Sequence, residues 1–131
     1  MGTVSVRYIV DDVAEGIAFY RDHLGFRVVM HPAPAFAMLA RGDLVLLLSA
    51  PHGQRGGGQA LPDGTRPEPG GWNRFQIQVA DLPAEVARLR VAGVRFRNEI
   101  MHGVGGDQVL IQDPSGNLVE LFAPAAVTAT G

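Results

Sequence analysis

Cysteine is absent, which removes disulfides, thiolate metal ligands and thiol nucleophiles together. Lysine is absent as well, so every basic side chain is an arginine. There is no basic excess: the net charge of -2 leaves no electrostatic footprint for nucleic acid, and no nucleic-acid partner is expected. Long hydrophobic runs are missing. Runs such as Leu44 to Leu48 are far short of the roughly 20 residues that cross a bilayer, so no membrane partner is expected either. The opening MGTVSVRYIV has no basic stretch followed by an apolar one, so no secretory leader is expected. Gly2 has no Ser or Thr at position 6, which argues against myristoylation. Together with the lack of cysteine, this suits a cytoplasmic protein. Trp72 is the single tryptophan.

What the chain does contain is a repeat. Val10-Asp11-Asp12-Val13, an amphipathic stretch and Gly25-Phe26-Arg27-Val28 return as Val79-Ala80-Asp81-Leu82, a second such stretch and Gly93-Val94-Arg95-Phe96. Two copies are too few for a solenoid and imply one domain over 1–131, built of two related modules at about 4–49 and 72–124. A chain of this length buries roughly two-thirds of its unfolded surface, enough for a core.

Within the first module, residues 4–10 read as a strand. Asp12 reads as an N-cap with Glu15 three residues on, a capping-box pattern. Val13, Ile17, Tyr20 and Leu24 form one apolar helical face, closed by Gly25. Strands are predicted at 26–31, 35–41 and 43–49. The second module repeats the order: a strand at 72–79, Asp81 as N-cap with Pro83 in the first turn, and Val86, Leu89 and Gly93 along the inner helix face. Strands are predicted at 94–99, 106–112 and 117–122, with Asp113-Pro114-Ser115-Gly116-Asn117 as the last turn. The fold class is α+β: two βαβββ modules forming a cupped mixed or antiparallel sheet with helices outside. The Gly/Pro-rich linker 50–71 reads as a connector or a flexible flap, and 125–131 as a disordered tail.

Alternation assigns the two faces of each strand. Val6, Tyr8 and Val10, then Phe75, Ile77 and Val79, Val109 and Ile111, and Val119 and Leu121 belong under the helices. The other face carries Arg7, Arg74, Gln76, Gln78, Gln112 and Glu120 among Ile9, Leu118 and Phe122. Gln and Arg without Lys, set among apolar residues, suit a ligand pocket better than a wet outer surface.

The repeated V-x-D-[LV] helix starts, Phe19-Tyr20-Arg21-Asp22-His23-Leu24-Gly25-Phe26, and Asp113-Pro114-Ser115-Gly116-Asn117-Leu118-Val119-Glu120-Leu121 resemble the vicinal oxygen chelate superfamily of glyoxalases, bleomycin-resistance proteins and extradiol dioxygenases. The resemblance runs over about residues 4–124. It implies paired βαβββ modules, commonly as a homodimer, and in the enzymes a divalent metal held by His, Gln and Glu from each module's first and fourth strands. Carried onto this chain, those ligand positions fall at Ser5, about Leu47, Arg74 and Glu120. Only Glu120 is a ligand type, and a guanidinium cannot coordinate. No metal is therefore assigned and no cofactor is expected, although a divalent ion stays open as the enzyme reading.

Arg74 and Glu120 are expected to face each other across the cup, as an ion pair or as receptors. Arg7, Arg74, Gln76, Gln112, Glu120, Trp72 and Phe122 are the candidate ligand-binding residues: Arg for an anionic or carbonyl group, Gln for neutral hydrogen bonds, and the aromatics, with Phe36, for stacking. Glu120 is the candidate catalytic base, and His52 and His102 are loop candidates for acid–base work. Three functions compete: a metal-independent protein binding a small aromatic, carbonyl- or carboxylate-bearing molecule; a lyase, isomerase or dioxygenase using Glu120 as base or single metal ligand; and a protein-interaction module.

Overall fold

A computed structural model describes residues 4–52 and 56–125. They divide into two compact units. The first runs to Gly71 and takes in the turn Asp113–Asn117; the second holds Trp72–Gln112 and the chain from Leu118. The first unit has the expected βαβββ order, the second adds one short strand after its helix, and the α+β class holds, with one sheet of four strands and one of five.

The first unit comprises β1 (Ser5–Ile9), α1 (Val13–Leu24), β2 (Arg27–Ala33), β3 (Phe36–Arg41) and β4 (Leu44–Ser49). Its sheet order is β1-β4-β3-β2, with β1 parallel to β4 and the other pairs antiparallel. Asp12 caps α1 as its spacing predicts, its carboxylate accepting the Glu15 N–H at 3.0 Å, and Gly25 ends the helix at φ 71. Val13, Ile17, Tyr20 and Leu24 are buried along the face that packs on β2, β3 and β4. Gly16 lets α1 approach β4, since a Cβ there would stand 3.0 Å from Leu48 Cδ1. Tyr8, Val10, Leu39, Leu46 and Leu48 complete this core.

Tyr20 has no solvent contact, and its hydroxyl donates to Asp113 Oδ2 at 2.9 Å. Asp113 also accepts from the backbone N–H groups of Ser115 and Asn117 and from Asn117 Nδ2, which bonds the Ile9 carbonyl too, at 2.8 Å. The sequence signalled a turn here; the structure shows a buried polar cluster in which every group is satisfied. Burial raises the Asp113 carboxyl above its ordinary range, against the lowering by its Asn117 bonds. Burial first, and then the Asp113 charge, hold the Tyr20 phenol well above 10.

The second unit comprises β5 (Arg74–Gln78), α2 (Leu82–Val91), β6 (Arg95–Phe96), β7 (Met101–His102), β8 (Gly106–Gln112) and β9 (Leu118–Pro124). The order is β5-β9-β8-β6, β7 also pairing with β8. β5 is parallel to β9; the other pairs are antiparallel. Three details differ from the sequence reading, the first being β7, a short strand beyond the expected βαβββ order. The strand predicted at 94–99 breaks after Phe96, because the Asn98 side chain takes the Leu110 N–H at 2.9 Å in place of a ladder carbonyl. The inner face of α2 is Leu82, Val86 and Leu89, and Gly93 is an exposed terminator with φ 83.

The linker between the modules is not structureless where it is described. Leu61 and Thr65 close a turn, and the Gly70 N–H reaches Asn117 Oδ1 at 2.8 Å. β9 extends through Pro124, and the tail beyond Ala125 lies outside the described residues.

Candidate functional site

Register fixes which side chains share the helix-free face of the second sheet. Gln76 lies opposite Glu120, and Glu120 opposite Leu110. Arg74, Leu118 and Gln112 form the row on one side; Gln78, Phe122 and Gln108 form the row on the other. Phe75, Ile77, Val109, Ile111, Val119 and Leu121 take the other face and are buried, as alternation predicts.

Glu120 is the centre of this grid and is 8% exposed. Arg74 Nε donates to its Oε1 at 3.0 Å, and Gln76 Nε2 to its Oε2 at 2.6 Å. The Gln108 amide, turned with its nitrogen toward the carboxylate, reaches Oε1 at 3.0 Å and Oε2 at 3.1 Å. A carboxylate offers about four lone-pair positions, and two donors now approach each oxygen. The Arg74–Glu120 pair is formed, but between adjacent parallel strands of one sheet and not across a cup. Trp72 leads into β5 and is 65% exposed. The Arg97 guanidinium lies 4.8 Å from its ring centroid, a cation–π contact.

On the first sheet, the corresponding row is Arg7, Leu47, Met38 and Met30. Ile9, Ser49 and Phe36 form the next row. Arg7 Nη1 donates to Ser49 Oγ and to the Gly56 carbonyl, each at 2.7 Å. The ladder places Leu47 opposite Arg7 as it places Glu120 opposite Gln76, so the positions on β4 and β9 correspond.

The structure therefore gathers Arg74, Gln76, Gln112, Glu120 and Phe122 on one sheet face, with Trp72 at its border. It holds Arg7 on the first sheet. Sequence reasoning missed Gln108, Arg97 and Ser49. Alternation on β8 carried a signal for Gln108, directly opposite Phe122; nothing in the sequence marked Arg97. Of the histidines, His102 pairs with Asp107 at 3.0 Å in the β7–β8 hairpin. His31 and His52 line an open groove of about 440 Å³ with Asp11, Asp12 and Pro32. Among the described residues no group of three or more His, Asp or Glu side chains is placed to hold a metal ion.

A family model described as Glyoxalase/Bleomycin resistance protein/Dioxygenase superfamily matches residues 2–121. Among solved structures, a lactoylglutathione lyase from Agrobacterium tumefaciens is 23% identical, with 93% of this chain and 92% of that one covered at a TM-score of 0.71. An antibiotic-binding protein from Streptomyces sp. CB03234 is 24% identical, with coverage of 92% and 93% and a TM-score of 0.70. A bleomycin-binding protein from Streptomyces verticillus, solved with copper(II)-bleomycin, is 22% identical, with coverage of 95% and 97% and a TM-score of 0.63. At these identities the likeness is one of fold. No curated protein matches the chain. With a helix and a mixed sheet in each unit and a family match over nearly its whole length, the chain belongs to the glyoxalase/bleomycin resistance protein/dioxygenase superfamily.

Proposed function

We propose that this protein binds a small organic molecule, aromatic and bearing a carbonyl or carboxylate group, on a helix-free sheet face, without a metal ion. The observation that carries the reading is the state of Glu120. All its lone-pair positions are met by Arg74, Gln76 and Gln108. A divalent cation here would have to displace those donors and sit beside a guanidinium, so the donor set does not fit one. The same bonds leave Glu120 poorly placed to take a proton from a substrate, which favours binding over catalysis by this residue. The surrounding Gln side chains offer neutral hydrogen bonds, and Phe122 and exposed Trp72 offer ring faces.

The relatives that bind antibiotics share the fold and support a small-molecule ligand. Family habit supports a homodimer, and the lack of cysteine suits the cytoplasm. No helix among the described residues is long and apolar enough to cross a membrane.

The test is elemental analysis of protein purified without chelators, then offered Fe(II), Mn(II), Ni(II), Co(II) and Zn(II), beside Trp72 quenching by a panel of aromatic carboxylates and ketones. The expected result is no stoichiometric metal and saturable quenching. One ion per chain, lost in Glu120→Gln, overturns the reading.

A further inference from the structure

The two sheet faces carry their charge differently. On the second, Arg74 has the Glu120 carboxylate at 3.0 Å. On the first, no carboxylate lies within ion-pair distance of Arg7 among the described residues, and the remaining segments contain no Asp or Glu. Arg7 is nonetheless held in place. Nη1 donates to Ser49 Oγ and to the Gly56 carbonyl, and the Ser49 hydroxyl itself donates to that carbonyl. Nε and Nη2 have no protein acceptor among the described residues.

A glycine strap fixes this arrangement. Gly57, at φ 89, lies so close to the guanidinium that a Cβ would stand 1.7 Å from Nη1. Gly56 is pressed against Phe36, where a Cβ would stand 2.8 Å from its Cβ, and Gly58 against the Ala50 carbonyl. Three consecutive glycines thus permit a backbone approach that side chains would forbid. The guanidinium is held by neutral oxygens at one nitrogen, which among the described residues leaves open the Nε–Nη2 edge that grips a carboxylate with two parallel bonds. The row it heads is Leu47, Met38 and the 46% exposed Met30, an apolar and adaptable surface.

We infer that the first sheet face is the receptor for the ligand's anionic group: Arg7 grips a carboxylate-type oxyanion through Nε and Nη2, and the ligand's apolar body lies along Leu47, Met38 and Met30. This rests on the small-molecule reading above and deepens it, because it assigns the charge to Arg7 and not to Arg74. Arg74 is already neutralised, and a second carboxylate there would stand beside the first. Gly57 is a positioning residue for the Arg7 fork.

The test uses 2-naphthoate and its neutral analogue 2-naphthalenemethanol, titrated into the full chain by calorimetry and by NMR of the arginine Nε–H resonances. Unaltered protein should bind the carboxylate about ten-fold tighter than the alcohol or better, with the Arg7 resonance moving most. Arg7→Gln should erase that preference and leave alcohol binding in place, and Gly57→Ala should weaken the carboxylate selectively. The NMR shift needs no variant, so the inference stays testable if a variant fails to fold. Equal affinity for both probes with a still Arg7 resonance overturns the assignment and leaves the small-molecule reading standing. A preference that survives Arg7→Gln but vanishes in Arg74→Gln overturns it too. Failure of both probes to bind removes both readings.

Discussion

Leu47 holds in the first sheet the place that Glu120 holds in the second. Each lies opposite the residue five positions before a helix-capping aspartate, Arg7 in one case and Gln76 in the other. Duplicate positions in the ladder have therefore acquired opposite chemistry. One is an apolar surface headed by a cation that has no counter-ion among the described residues, and the other a carboxylate enclosed by donors.

That enclosure gives the first expectation. Glu120→Ala should cost about 1–2 kcal/mol, below the figure for a fully buried pair because Arg74 is about a third exposed. Arg74→Met combined with Glu120→Leu should recover most of the loss, since no charge is then left without a partner. Urea unfolding of the single and double variants measures the coupling, and strictly additive losses would refute it.

The buried cluster around Asp113 gives a second, with a definite sign. A carboxyl raised by burial contributes extra stability below its ordinary value of 3.8, and that contribution is lost as pH rises through the higher folded value. Wild-type protein should therefore lose stability relative to Asp113→Asn across that window, and the difference should be flat above it. Tyr20→Phe removes a buried donor and should cost about 1–2 kcal/mol at neutral pH. It should also abolish the part of the alkaline destabilisation that sets in above 10 as the unfolded phenol ionises first. Melting curves against pH check both.

Asn98 supplies the third. Its side chain is the acceptor for the Leu110 N–H, so Asn98→Ala should cost about 1–2 kcal/mol. Hydrogen exchange at the Leu110 amide should accelerate more than exchange at Val109 or Ile111. Unchanged protection at Leu110 would mean that another acceptor takes over.

Trp72 supplies the fourth. With its ring exposed beneath Arg97, it should be open to acrylamide quenching in the free protein and shielded by a stacked aromatic ligand. Arg97→Ala should shift its emission while costing no more than about 1 kcal/mol, the scale of an exposed cation–π contact. Quenching that is equal with and without saturating ligand would take Trp72 out of the binding surface.

The order of elements was legible because local signals agreed. Asp12, Gly25 and Asp81 marked the helix ends, and period-two alternation marked β5 and β9 on both faces. The site was legible in part. Alternation put Arg74, Gln76 and Glu120 on one face, but pairing between strands is not a local property, so the sequence suggested opposition across a cup where the ladder makes neighbours. Arg97 was invisible because its position depends on the break at Asn98, a side-chain bond between residues 12 apart. The Ser49 and Gly56 grip on Arg7 was hidden for the same reason, spanning 42 and 49 residues. The strap itself was read only as Gly-rich, since glycine content announces backbone freedom without saying what approaches.

The turn Asp113–Asn117 belongs to the first unit, although the chain reaches it only after passing through most of the second. The Asn117 bond to the Ile9 carbonyl spans 108 residues. A nascent chain that has emerged only as far as the linker would thus lack the Asp113 acceptor for the Tyr20 hydroxyl and the Asn117 donor to the Ile9 carbonyl. The last pieces of the first unit are synthesised late, so its completion must wait for loop closure over nearly the whole length of the protein. A cut in the linker should accordingly leave an N-terminal fragment that cannot complete its own core without residues 113–117.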